Sequence, residues 1–204
     1  MSLRLLSLRI LSLQLFRQPR PSNWTLATTL IATVVLAGVS LRTLTLRQSP
    51  TWPTVHRQIR QTFPAVQHIS TTDLANWMKG DRPPLILDIR EPEEFQVSQI
   101  EGAMLATTLN DVLAALENTP EDRPIVVYCS VGYRSSAVAQ QLQDNGFTQV
   151  FNLEGSIFAW ANEGRPIMRN AAPVQEVHPF NAKWGQLLER TLWSSDSYSQ
   201  PDSH

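Results

Sequence analysis

Three short apolar runs mark the middle of the chain: LILDI at 85–89, IVVYC at 125–129 and VFNL at 150–153. Each is brief and rich in aliphatic residues with little polar alternation, as expected of strands buried on both faces. Between them the period changes. TTDLANWMKG has Thr71 or Thr72 as its cap and runs to Gly80, LNDVLAALEN starts near Asn110 or Asp111, and SSAVAQQLQDNG runs from near Ser135 to Gly146. Their apolar positions recur at helical spacing, with capping residues ahead and in two cases glycine behind. Strands alternating with helices predict an α/β fold over residues 63–169: a three-layer α/β/α domain with a mainly parallel central sheet.

Outside that span the pattern differs. Twenty-one uncharged residues lie between Arg20 and Arg42, and the apolar part, WTLATTLIATVVLAGVSL, reaches 41. As a helix such a run spans roughly 31 Å, about the thickness of a bilayer's hydrocarbon. Residues 23–41 are therefore expected to be a transmembrane helix, giving a single-pass membrane protein. A signal segment with its small-residue exit near Ala37 is the alternative, which would leave an exported or organellar domain. Residues 1–22 form a basic leader. Arginines flank the apolar run equally, so the side of the membrane stays open. Residues 42–62, with Pro50 and Pro53, read as a linker. Residues 170–204 read as a polar tail holding a short amphipathic helix, because Phe180, Trp184, Leu187, Leu188 and Leu192 fall on one helical face. That helix is expected to pack on the domain rather than to meet a membrane or a partner.

Charge sharpens this division. The net charge is -1, which gives no reason to expect a nucleic-acid partner, yet no Asp or Glu precedes Asp73. Cys129 is the sole cysteine, so neither an intrachain disulfide nor a paired-cysteine metal or redox site is available. His56, His68, His178 and His204 are too scattered for a ligand set, and no metal site is expected.

Cys129 instead ends a buried strand. Ligands of open parallel sheets bind beyond the carboxyl ends of the strands, which is where this thiol falls. Ser130, Val131, Gly132, Tyr133 and Arg134 then make a short loop leading into a helix. Such a turn aims backbone N–H groups inward, Gly132 permits the backbone conformation, and Arg134 adds a full charge beside the positive helix end. Together they favour a thiolate over an inert buried thiol. Asp88, at the end of LILDI, is a candidate for shaping the mouth of the site, or a structural acceptor for nearby N–H groups. Arg90 and Glu94 are expected to pair at i,i+4, and Trp160 to sit in the core.

CSVGYRSSAVAQQL resembles the active-site segment of the rhodanese-like family, C-x-x-G-x-R followed by a helix. LILDIREPEEF is similar to its early strand and turn, and QVFNLEGSIFAW to its late segment. Two departures stand out: Ser98-Gln99-Ile100-Glu101-Gly102-Ala103 where the family often has G-H-I-P-G-A, and Ser156 in place of a glycine. Both touch local packing or partner choice rather than the cysteine loop. The resemblance implies sulfur transfer: the Cys129 thiolate takes the outer sulfur of a small anionic donor, thiosulfate or a persulfide, and passes it to a thiol, cyanide-like or protein acceptor. In that scheme Arg134 attracts the donor, the loop amides of residues 130–133 hold the anion, and no cofactor is needed. The six-residue loop is the sulfur-transfer length, phosphatase-like members carrying one residue more. The alternatives are a noncatalytic docking or sensing module at a membrane and, behind it, a cysteine-based phosphatase or arsenate reductase.

Overall fold

The computed structural model describes residues 49–195. The leader and the apolar run at 23–41 lie outside the described residues, as does His204. Among the described residues no helix is long and apolar enough to cross a membrane.

The three runs read as strands form the middle of a five-stranded sheet, β2 (Leu85–Asp88), β4 (Ile125–Tyr128) and β5 (Val150–Leu153). Two short strands complete it, β1 (Gln67–Ile69) and β3 (Ala103–Leu105), in the order β1-β5-β4-β2-β3. Every pairing is parallel. Strand β1 has no apolar run to announce it, and β3 has only a short one of small and flexible residues, Ala103–Leu105. His68 and Met104 are polar or half-exposed because an edge needs less burial.

Alternate residues of the central strands point to opposite faces. Ile86, Val126 and Tyr128 join one apolar cluster, and Leu87, Ile125 and Val127 join the other. The first cluster is closed by α1 (Trp52–Thr62), α2 (Thr71–Trp77) and α6 (Ser156–Asn162), through Val55, Ile59, Leu74, Ile157 and Phe158. The second is closed by α4 (Leu109–Ala115) and α5 (Tyr133–Asp144), through Val112, Ala139 and Leu142. The expected three-layer parallel architecture is what forms. Helix α3 (Pro92–Val97) links β2 to β3, and a hairpin of β6 (Ile167–Arg169) and β7 (Ala172–Val174) follows α6.

Several boundaries differ from expectation. The caps of α2 and α4 are Ser70 and Thr108, whose hydroxyls accept the N–H of Asp73 and Asp111. Helix α5 begins at Tyr133, two residues earlier than predicted. Residues 52–62, read as linker, are α1: Thr54 Oγ1 accepts the N–H of Thr51 at 3.1 Å and Pro53 sits in the first turn, where its missing N–H costs nothing. Val55 and Ile59, one helical turn apart, are buried in the core, so the folded unit starts at Ser49 rather than at 63.

The tail does not form an α-helix. Residues 184–192 make two short 3₁₀ turns, Trp184–Leu187 and Arg190–Leu192, broken where Leu188 is extended. Leu187 and Leu188 are buried in the first cluster and the Asn162 side chain bonds both Leu187 O and Glu189 N, so tertiary contacts override the helical period. The apolar residues pack on the domain as expected, in a different backbone form.

Candidate active site

Cys129 follows the last residue of β4, and its backbone is held from the neighbouring strand–helix junction. Its N–H donates to Ser156 Oγ at 3.1 Å, and its carbonyl accepts the N–H of Ile157 at 3.2 Å. Ser130 O likewise accepts the N–H of Phe158. The first turn of α6 therefore anchors the start of the loop. Ser156 occupies a left-handed conformation (φ 52°) where the family has glycine, and its hydroxyl bonds to Cys129 N and Leu153 O offset that strain.

The sulfur is set among donors. Gly132 N–H donates to Cys129 Sγ at 3.1 Å, from a backbone at φ 108°. A Cβ there would stand 3.3 Å from Asn152 Nδ2, so space and conformation both call for glycine. Ser135 Oγ lies 3.5 Å from Sγ and 2.6 Å from Asn152 Oδ1, and the Asn152 amide in turn meets His68 Nδ1 at 3.1 Å. Burial alone would push the Cys129 thiol up. The charge of Arg134, the Ser135 hydroxyl and the N–H groups of Ser135 and Gly132 outweigh it, so the thiol lies below its ordinary value.

Arg134 is itself held. Its Nη2 donates to both oxygens of Glu94, at 3.0 and 2.9 Å, and to Ser130 Oγ at 3.0 Å. Ser130 Oγ also donates to Glu94 Oε1 at 2.6 Å. Burial would raise the Glu94 carboxyl. Arg134, Arg90, the Ser130 hydroxyl and the Glu91 N–H more than reverse that, leaving it below the usual carboxylate range.

The expected Arg90–Glu94 pair is thus corrected. Arg90 lies ahead of α3, whose cap is Glu91, so helical spacing does not apply to it. It turns back on Asp88, with Nη2 2.6 Å from Oδ2 and Nε 2.9 Å from Oδ1. Asp88 is fully buried with both oxygens on Arg90. It holds the strand-to-helix turn and offers a substrate nothing, which is the structural alternative rather than a place at the mouth.

Of the loop residues, Gly132 contacts the sulfur through its N–H. Ser130 acts through its hydroxyl on Glu94 and Arg134, Val131 is buried in the core, and Tyr133 is 39 % exposed with its ring edge-on to Phe63. Trp160 is core, as expected, with Nε1 donating to Pro166 O. Sequence reasoning missed Glu94 as the partner of Arg134, and missed Ser135 and Asn152; it named Ser156 but set it apart from the cysteine loop, which the bond from the Cys129 N–H to Ser156 Oγ corrects. Ser135 was the most legible of these, one residue past Arg134 in the turn that receives the sulfur.

The family model for the rhodanese-like domain matches residues 70–163. The chain is 33 % identical over 103 residues to a sulfurtransferase of Allochromatium vinosum, covering 95 % of that protein and 50 % of this chain. It is 29 % identical over 143 residues to the probable adenylyltransferase/sulfurtransferase MoeZ of Mycobacterium tuberculosis, where the match takes 64 % of this chain but spans only 36 % of that protein. Among solved structures, a thiosulfate sulfurtransferase from Pseudomonas aeruginosa shares the fold, with a TM-score of 0.51 at 19 % identity over 56 % of this chain and 22 % of that one. Both sequence relatives carry sulfurtransferase in their names, and the solved structure bears on the fold alone. With the cysteine loop, the parallel sheet and this similarity together, the chain belongs to the rhodanese-like family.

Proposed function

We propose that the domain moves sulfane sulfur through a persulfide on Cys129, from thiosulfate or a persulfide to a thiophilic acceptor. One observation carries this reading: the buried sulfur receives the Gly132 N–H at 3.1 Å beside the Arg134 charge, an arrangement that holds an anion at Sγ. The thiolate attacks the outer sulfur of the donor, the donor's S–S bond breaks, and its electron pair leaves with the remaining fragment. Cys129 is left as a persulfide anion in the same cradle. A nucleophilic acceptor then takes the terminal sulfur and returns the thiolate. A lone cysteine suffices for both half-reactions.

Tethering by residues 23–41 belongs to the same proposal and rests on the uncharged run between Arg20 and Arg42. The test is intact-mass spectrometry of the full chain, prepared from membranes, before and after a sulfane donor. The expected result is one added sulfur atom on the wild type, removed by cyanide and absent from Cys129→Ser. A folded wild type that gains no mass with thiosulfate, a persulfide or polysulfide would overturn the reading. Full release of the chain by alkaline carbonate would overturn the tether.

A further inference from the structure

Cys129 is 1 % exposed, and a donor must reach it across the loop. Ser130, Val131 and Gly132 are buried, which leaves Tyr133 and Arg134 as the loop residues at the surface. Arg134 in turn lies beneath Phe180, its guanidinium carbon 4.7 Å from the ring centroid. Phe180 belongs to the tail, beyond the residues 70–163 that the family model matches.

Its placement has a conformational cost. Phe180 is at φ 64°, a left-handed backbone rarely adopted by bulky residues, and its N–H donates to His178 Nδ1 at 3.1 Å. The residue nonetheless stays 39 % exposed, so burial does not explain why the turn holds it there. The charge balance points the same way. Arg134 is paired with Glu94 at 2.9 Å, and Arg90 with Asp88, so among these groups a Cys129 thiolate is the one charge left without its own counter-ion. An inorganic dianion such as thiosulfate meets repulsion there. A donor with one charge and a flat apolar group meets an aromatic ring beside the arginine.

We infer that Phe180 is a specificity-determining residue and that the site selects organic sulfane donors of single negative charge, aryl thiosulfonates or organic persulfides, over inorganic thiosulfate. The inference rests on the sulfurtransferase reading above. With an aryl thiosulfonate, the Cys129 thiolate bonds to the terminal sulfur, the S–S bond breaks, and the sulfinate leaves with the pair.

The experiment measures kcat/KM of the full chain with thiosulfate, methanethiosulfonate and benzenethiosulfonate, each rate divided by that of free glutathione with the same donor. The two thiosulfonates carry the same charge and differ only in the apolar group. Benzenethiosulfonate is expected to exceed methanethiosulfonate by about tenfold, from stacking on one partly exposed ring. Thiosulfate is expected to be the poorest of the three. Phe180→Ala should collapse the aryl preference to within about twofold, and Phe180→Leu, which keeps bulk without a ring, should retain less than half of it. Equal normalised rates for the two thiosulfonates in the wild type would overturn the inference without any variant, as would an aryl preference that survives Phe180→Ala. Polysulfide loading of Cys129, read by mass, separates that outcome from failure of the sulfurtransferase reading itself.

Discussion

Glu94 is an almost fully buried carboxylate whose charge is made tolerable by four neighbours: Arg134, Arg90, the Ser130 hydroxyl and the Glu91 N–H. Glu94→Gln keeps the shape and removes the charge. It is expected to destabilise the fold by about 1–3 kcal/mol, less than for a wholly buried pair because Arg134 is 31 % exposed. The pH dependence follows from the direction of the shift. A carboxyl whose folded value is depressed contributes stability fully present above its unfolded value, near about 4.3, and lost as pH falls through the lower folded value. Urea unfolding should therefore show a constant gap between wild type and Glu94→Gln above about pH 5.5, closing in acid. A gap that stays constant through the acid range would mean that Glu94 acts by packing rather than by charge. This residue also shows the limit of spacing as a guide. The separation of Arg90 and Glu94 reads as helical, but a helix that starts at Pro92 leaves Arg90 outside it. The true partner, Arg134, is forty positions on and is brought there only by the parallel pairing of β2 and β4.

Elements meet at Ser156, where β5 ends and α6 starts. Two effects compete in Ser156→Gly. Glycine relieves a left-handed conformation that costs a residue with a Cβ about 1–2 kcal/mol, less the roughly 0.5–1 kcal/mol of extra chain entropy that glycine loses on folding. It also strips the buried Cys129 N–H of its acceptor, at a cost of about 1–3 kcal/mol. The second is larger, so the variant is expected to lose about 1 kcal/mol and to load sulfur on Cys129 more slowly. The checks are equilibrium unfolding and the rate of mass gain with polysulfide. A variant more stable than the wild type would show that strain outweighs the bond. The departure from the family's glycine was legible in the sequence, whereas its reason was not, because the acceptor role depends on a contact between residues 129 and 156. The tail failed to be legible for a similar reason. Its apolar residues have helical spacing, yet the bonds from Asn162 to Leu187 and Glu189 fix an irregular path that no local period encodes. The three central strands, by contrast, were legible because their burial on both faces leaves runs that are mostly apolar, broken only by Asp88 and Asn152.

At the scale of the whole molecule, the family-matched span does not close its own core. Val55 and Ile59 from α1, and Val177, Leu187 and Leu188 from the tail, are buried in the same cluster as Val126 and Leu153 of the sheet. All five lie outside residues 70–163. Burying each side chain of this kind stabilises by about 1.5–3 kcal/mol. Five together amount to about 8–15 kcal/mol, comparable with the whole stability of a domain of this size. A fragment of residues 63–169, the boundaries suggested by hydrophobic pattern alone, is therefore expected to lack a cooperative unfolding transition, and one of residues 49–195 to show it. Circular dichroism through a urea titration distinguishes them. Adding residues 49–62 alone should restore part of the transition, since α1 returns Val55 and Ile59 but leaves the surface under Leu187 and Leu188 open. Equal midpoints for 63–169 and 49–195 would mean that the flanks are ornaments on a self-sufficient sheet. The tail's hold on Phe180 would then be independent of folding. If the midpoints differ as expected, the segment that completes the core is also the one that sets an aromatic ring over Arg134, and trimming the chain to its family span would change donor choice and stability together.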